Sequence, residues 1–249
     1  MSFIRNPLIA LCAIASLAFA ATAAAADADP QLEAVRAKIS GMFDFLEPED
    51  VIPSALDGWY MIQKGSIVAF VSDDGRYLMQ GDLIELDTSR NLTEMARSGV
   101  RRELVSSLAD QDTILFSPAE VKYSVTVFTD VDCTYCRKLH AEIDQYLAEG
   151  IQVRYVLYPR GGPASRAWTT SEDVWCASDR NGALTAAKMD QAFDTQKCDS
   201  SMITRHYELG NDVGMIGTPA IVTTDGDLIA GYLPPAALSM RLQQAAAAK

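Results

Sequence analysis

Cys133-Thr134-Tyr135-Cys136 stands directly after an apolar run, Val125 to Phe128, and opens a stretch with helical spacing. A thiol at a helix N-terminus lies among unpaired backbone N–H groups and at the positive end of the macrodipole, so its thiolate is stabilised. In such C-x-x-C motifs the first thiol falls from about 8.5 into the range of roughly 3.5 to 7.5 and becomes a nucleophile at neutral pH. The two-residue gap lets Cys136 reach back over one helical turn to attack a mixed disulfide on Cys133. The chemistry is thiol-disulfide exchange, with Cys133 as attacker and Cys136 as resolver. Asp132, immediately before Cys133, is expected to oppose thiolate formation, because a like charge nearby raises the pKa.

Three other uses of the pair compete. Haem attachment wants His after the second cysteine, where Arg137 stands. A cysteine-only zinc site wants a second close pair, whereas Cys176 and Cys198 are far apart, although His140 could replace one of them. An inert structural disulfide is the third use; the strand-to-helix context favours exchange over all of them, and no metal is expected. Cys176 and Cys198 lack that context and are assigned to a structural disulfide, a second redox pair being the sharper alternative. Closing a loop of that size stabilises by about 3 kcal/mol in the chain-entropy model. Gly217-Thr218-Pro219-Ala220 precedes an apolar strand, where the proline is either an ordinary edge residue or a cis-proline placed for function. His140 reads as a surface or packing residue, Arg137 and Lys138 as helix-surface charges, and Trp59, Trp168 and Trp175 as core or interface residues.

The chain that must position these groups has 249 residues, 49% hydrophobic and 22% charged, which suits one large domain or two modest ones and excludes disorder. With 21 Lys plus Arg against 33 Asp plus Glu the net charge is -12, and no basic stripe exists to neutralise a phosphate backbone, so nucleic-acid binding is excluded. Residues 1–26 carry Arg5, an apolar run from Leu8 to Ala20 and a small-residue tract ending at Ala26, the pattern of a cleaved signal peptide. The run is shorter than the roughly 20 residues of a spanning helix. Cleavage is expected after Ala26, with Ala20 and Ala23 as other candidate sites, and Cys12 is discarded with the segment. The remaining Cys133, Cys136, Cys176 and Cys198 make two pairs in a chain bound for an oxidising compartment.

Asp29 as cap, Pro30 at the first helical position and Leu32, Val35 and Ile39 on one face predict a first helix stopping near Gly41. The segment from Phe43 to Leu56 holds Pro48 and Pro53 and reads as irregular. Strands are predicted over Trp59 to Ile62, Ile67 to Val71, Tyr77 to Gln80 and Leu83 to Leu86, with Asp73-Asp74-Gly75 as a hairpin turn. These form a small α+β domain over about residues 27–87. Asn91 with Glu94 is a variant capping box opening a linker helix whose apolar positions are Leu92, Met95, Leu104 and Leu108, with Gly99 as a possible bend. Ser117-Pro118 closes this segment, and the domain boundary is placed near 118. A β-α-β unit follows: a strand at Val125 to Phe128, a helix Thr134 to Ala148 and a strand Ile151 to Leu157. Residues 163–213 read as mostly helical, Ala220 to Thr223 and Leu228 to Ala230 as a strand pair, and Pro235 to Gln244 as a last helix.

Phe128-Thr129-Asp130, Cys133 to Cys136 and Arg137-Lys138-Leu139-His140 together resemble the active-site segment of the DsbC-type periplasmic disulfide isomerases of the thioredoxin superfamily. Gly217-Thr218-Pro219-Ala220 and Gly231-Tyr232-Leu233-Pro234-Pro235 resemble their cis-proline loop and C-terminal segment. The resemblance covers nearly all of the chain after residue 26. It implies an α+β protein with a cystatin-like dimerisation domain at 27–87, a linker helix at 88–118 and a thioredoxin-like catalytic domain with a helical insertion at 119–249. It further implies a V-shaped homodimer around a shared cleft, a cis peptide at Thr218-Pro219, and substrate contacts from Thr134, Tyr135, Thr218 and Pro219. The clients would be misoxidised exported proteins, the reductant a membrane electron donor of the DsbD type, and no cofactor is needed. The alternatives are a DsbG-type reductase, against which Cys176 with Cys198 stands, a DsbA-type oxidase, against which the separate N-terminal domain stands, and a dimeric chaperone that holds clients and uses its cysteines little. Thr134-Tyr135 replaces the Gly-Tyr associated with the family, and the dipeptide affects redox poise.

Overall fold

The computed structural model describes residues 29–247, so the signal-peptide segment and Cys12 lie outside the described residues. Helix α1 (Pro30–Met42) starts where Asp29 Oδ1 accepts the Gln31 N–H at 3.0 Å, satisfying one of the orphan donors of the first turn. Its buried Leu32, Val35 and Ile39 sit on a four-stranded antiparallel sheet of β1 (Val51–Pro53), β2 (Trp59–Lys64), β3 (Ile67–Ser72) and β4 (Leu78–Met79), paired in that order. Leu46, Val51, Ile62, Ala69 and Val71 complete this small core. Gly75 turns the β3–β4 connection at φ 63°, a value glycine tolerates without steric cost. Strand β1 falls in the segment read as irregular; Pro53 closes it at the edge of the sheet, the place where a strand proline is tolerated. The strand expected over Leu83 to Leu86 reduces to β5 (Ile84–Glu85), which pairs only with β6 (Arg90–Asn91).

Asn91 Oδ1 accepts the Glu94 N–H at 2.8 Å and starts α2 (Leu92–Ser106). Its fully buried positions are Thr93, Arg101 and Val105, not Leu92 and Met95, and Met95 is exposed. Hydrogen bonds fix this helix: Thr93 Oγ1 accepts from the Leu83 N–H at 2.9 Å, and Arg101 Nε donates to the Val213 carbonyl at 2.9 Å. Gly99 faces open space and does not interrupt the helix.

Beyond α2 lies a five-stranded sheet ordered β11-β10-β8-β9-β7, made of β7 (Ile114–Phe116), β8 (Tyr123–Thr129), β9 (Ile151–Leu157), β10 (Ala220–Thr223) and β11 (Leu228–Ala230). Only β8 and β9 run parallel, and a parallel pair needs a crossover. Helices α3 (Thr134–Ala141) and α4 (Ile143–Ala148) supply it, broken at Glu142 by φ -103° and ψ 14° where one continuous helix was expected. The edge strand β7 was also unforeseen and comes from residues ahead of the expected boundary near 118. Between β9 and β10 are inserted α5 (Arg166–Cys176), α6 (Arg180–Lys188) and α7 (Ser201–Asp212), and α8 (Pro235–Ala247) ends the described chain. One face of the sheet buries Tyr146, Tyr155, Trp168, Trp175 and Ile203; the other buries Phe128, Val156, Val213 and Val222 with Val105 of α2.

Cys176 and Cys198 are bonded, tying the irregular stretch between α6 and α7 to the end of α5 across a separation of 22 residues. Replacing both by Ala is expected to lower unfolding stability by about 3 kcal/mol, read as the shift in denaturant midpoint at unchanged slope. A loss below about 1 kcal/mol would show that this stretch is held by its other contacts, such as Thr195 Oγ1 on the Asp173 carbonyl at 2.8 Å.

Candidate active site

Strand β8 ends at Thr129, and four residues later Cys133 occupies the N-cap of α3 with extended backbone, φ -82° and ψ 123°. No side chain caps this helix, so the Cys133 sulfur takes the position from which first-turn N–H groups are reached. Cys136 follows within the first turn. Both thiols are free, Cys133 being 5% exposed and Cys136 0%, so only Cys133 offers surface to an incoming disulfide.

The second wall of the site comes from 85 residues further along the chain. The Thr218-Pro219 peptide ahead of β10 is cis, and the Cys133 thiol donates to the Thr218 carbonyl at 3.2 Å. Pro219 is buried, Thr134 and Tyr135 are exposed, and Tyr135 stacks on Tyr232 with ring centroids 6.5 Å apart. Lys138 lies over the same Tyr232 ring at 4.5 Å, and the Tyr232 hydroxyl donates to Glu142. The structure thus brings together Cys133, Cys136, Thr134, Tyr135, Thr218 and Pro219, and leaves Cys176 and Cys198 in their own bond elsewhere.

The Cys133 thiol is drawn down to about 5. The Cys136 thiol, donating to the sulfur, contributes most; the Thr218 hydroxyl, the Cys136 backbone N–H and the charge of Arg160 add to it against the opposing effect of burial. Thr218 Oγ1 is buried and has no partner when Cys133 is a thiol, so ionisation of the sulfur supplies an acceptor for it. Cys136 moves the other way, pushed up by burial and then by its bond to Cys133.

The expected opposition from Asp132 is offset. Its carboxylate accepts from Arg166 Nη2 at 2.6 Å and lies 3.5 Å from Arg137 Nη2, while Arg137 also pairs with Asp190 at 2.8 Å. Two guanidiniums therefore screen the charge that would have disfavoured the thiolate. Arg137 is consequently half-buried in an ionic network, and its Nε donates to the Val131 carbonyl at 2.8 Å. His140 is a packing residue and not a surface one: Thr185 Oγ1 donates to the Asn181 carbonyl, so it accepts from His140 Nε2, and Nδ1 accepts from the Tyr155 hydroxyl. Burial holds it neutral, at about 3.

Three residues of this site were not singled out as functional from the sequence. Asp130, buried at the end of β8, accepts from the Asp132 N–H at 2.8 Å and from Arg160 Nε at 2.9 Å, and its own N–H reaches Cys136 Sγ at 3.5 Å. Arg160 thereby stands where it acts on Cys133. Lys188, at the end of α6, is buried beneath the pair. Its signal was available: it lies four residues after Leu184 on the apolar face of α6, where a lysine is out of place.

Comparison with known proteins follows the same division of the chain. Residues 20–94 match the model of the disulfide bond isomerase protein N-terminal domain, and residues 110–246 match that of a thioredoxin-like domain. The chain is 38% identical over 192 residues to the thiol:disulfide interchange protein DsbC of Dickeya dadantii, covering 76% of this chain and 78% of that protein. It is 32% identical over 190 residues to the protein of the same name from Escherichia coli K12, covering 76% and 79%. A crystal structure of a disulfide interchange protein from Neisseria gonorrhoeae overlaps 55% of this chain and 97% of its own, at 25% identity and a TM-score of 0.48. With a nucleophilic cysteine that keeps a little surface over a fully buried resolving one, a thioredoxin-like domain and an isomerase N-terminal domain in a single chain, the protein belongs to the DsbC family of thiol:disulfide interchange proteins.

Proposed function

We propose that the protein is a periplasmic thiol-disulfide isomerase and reductase for misoxidised exported proteins, working through Cys133. The observation that carries this is the Cys133 thiol at the start of α3, facing the cis Thr218-Pro219 peptide and drawn down to about 5. The Cys133 thiolate attacks one sulfur of a wrong disulfide; a Cys133–client disulfide forms and the other client sulfur leaves as thiolate. If a client thiolate then displaces Cys133, the client is isomerised with no net electron transfer. If Cys136 attacks instead, the client leaves reduced by two electrons and Cys133 is bonded to Cys136, which a membrane dithiol donor of the DsbD type must reduce again. Thr134, Tyr135, Thr218 and Pro219 line the groove in which an extended client segment lies.

Residues 27–87 form the dimerisation domain, residues 88–118 the linker and residues 119–249 the catalytic domain, and residues 1–26 direct export. The homodimer reading is supported by the β4 edge, where Tyr77, Leu78 and Met79 are exposed, with Ile84 and Leu86 exposed nearby. An edge strand carrying exposed apolar side chains is a template for a second copy of the same strand. The cleft so formed would hold unfolded clients in the manner of a chaperone.

Residues 27–249, reduced at Cys133 and Cys136, are expected to restore activity to a model enzyme with scrambled disulfides and to scatter light as a dimer. Restoration of nothing would remove the isomerase reading and favour a chaperone or a dedicated reductase. Leu78→Lys is expected to shift the protein to monomer and lower isomerisation several-fold while reduction of a small disulfide is retained. A parent chain that is monomeric in solution overturns the dimer and its cleft.

A further inference from the structure

The mechanism above leaves one buried cation unused. Lys188 is 4% exposed, its Nζ donates to Thr129 Oγ1 at 2.7 Å and lies 3.5 Å from the Asp130 carbonyl oxygen. The N–H of the same Asp130 reaches Cys136 Sγ, so one residue at the end of β8 links the ammonium to the resolving sulfur. The groups that face Lys188 are Thr129 and Asp130 from β8 and the loop after it, Cys133, Cys136, Arg137 and His140 from the α3 segment, and the Tyr155 ring from β9 at 5.8 Å. The Asp130 carboxylate is already engaged by Arg160. Lysine is almost never buried without a partner, and desolvation lowers this one to about 8, against the attraction of Cys136, Asp130 and Cys133. Among the influences on Cys136, the charge of Lys188 is the largest that favours its thiolate, whereas the cation that weighs most on Cys133 is Arg160.

We propose that Lys188 is a positioning residue for the release step: its ammonium stabilises the Cys136 thiolate inside the protein and so shortens the life of the Cys133–client disulfide. The inference rests on the reading of Cys133 as attacker and Cys136 as resolver. In the step concerned, Cys136 loses its proton to solvent and its sulfur attacks Cys133 Sγ. The Cys133–Cys136 bond forms, the Cys133–client bond breaks, and the client sulfur leaves with the electron pair and takes a proton from water. The enzyme dithiol is oxidised and the client disulfide reduced by the same two electrons. A division of labour follows, with Arg160 serving the attacking sulfur and Lys188 the resolving one, so that the choice between isomerising and reducing a client is set partly by Lys188.

The test mixes the reduced chain with oxidised glutathione, quenches with acid and follows the glutathione adduct of Cys133 by mass. In Lys188→Met the adduct is expected to form at the parent's rate and to persist about tenfold longer at pH 7. A nearby charge moves a thiol by roughly one to three pK units, and about half of that returns as altered nucleophilicity. In the parent the decay rate rises with pH and flattens above about 8, where Lys188 loses its charge; in Lys188→Arg it stays parent-like at pH 7 and goes on rising. A purely structural role would move neither the flattening nor the ratio of the two steps. An adduct that decays equally fast in Lys188→Met, or a variant in which formation and decay slow together, overturns the proposal. Should Lys188→Met fail to fold, a parent profile that rises without flattening to pH 9 overturns it equally. Absence of any adduct at Cys133 overturns instead the reading on which it rests.

Discussion

Cys133→Ser is expected to lower isomerisation of a scrambled client to the uncatalysed background, a loss on the order of a thousandfold or more, because a hydroxyl at this position has no accessible oxyanion to replace the thiolate. Cys136→Ser should behave differently. It retains the sulfur that attacks, so a client with its own free thiols can still be shuffled, but the reducing route is closed and Cys133–client adducts accumulate. The pair of variants therefore separates the two routes in one refolding assay with adducts counted by mass. Equal loss in both variants would contradict the division of roles, as would a Cys133→Ser chain that still refolds its client. The contrast follows from exposure: Cys133 retains some surface and Cys136 none.

The second large effect is on acidity. A Cys133 thiol at its ordinary value of about 8.5 would be about 3% ionised at pH 7; at about 5 it is almost fully ionised, roughly thirtyfold more thiolate. Alkylation of Cys133 by iodoacetamide is expected to be nearly flat from pH 6 to 8 and to fall about tenfold per unit below 5. The native value lies below that of the unfolded chain, so the reduced protein gains stability as pH rises from about 5 towards 9 and loses it as pH falls through about 5. The disulfide form has no such contribution, so acid should weaken the reduced form relative to the disulfide form. Arg160→Met should move the midpoint upward, since it removes a positive charge acting on the sulfur. A parent midpoint near 8 would show that the Cys136, Thr218 and Arg160 contacts do not hold the thiolate.

Most of the scaffold was legible because its signals are local. Asp29 with Pro30 set the start of α1, and the hydrophobic runs of β3, β9 and β10 are long enough to identify themselves. Edge elements were not: β1 ends in Pro53 and β7 is three residues long, so neither carries an alternation that outweighs its turn residues. The break at Glu142 has no glycine or proline to announce it. The face of α2 was misjudged because Arg101 and Thr93 are buried through hydrogen bonds, which hydrophobic spacing does not report. The reactive residues of the site were legible through Cys133, Cys136 and the Thr-Pro pair, while Asp130, Arg160 and Lys188 converge from separate elements and acquire meaning only in three dimensions. Asp132 shows the reverse case, where a charge read correctly from the sequence is screened by Arg166 and Arg137 from the fold.

The bond between Cys176 and Cys198 also bears on how the enzyme itself matures. Four cysteines permit three pairings, and the one found joins the last two in order, leaving Cys133 and Cys136 to each other. On the proposed export, the thiols would reach the oxidising compartment in that same order, and joining neighbours as they emerge would yield this pattern without rearrangement. A catalyst that repairs out-of-order pairing in other proteins thus has a layout of neighbouring pairs, the pattern that calls for no such repair.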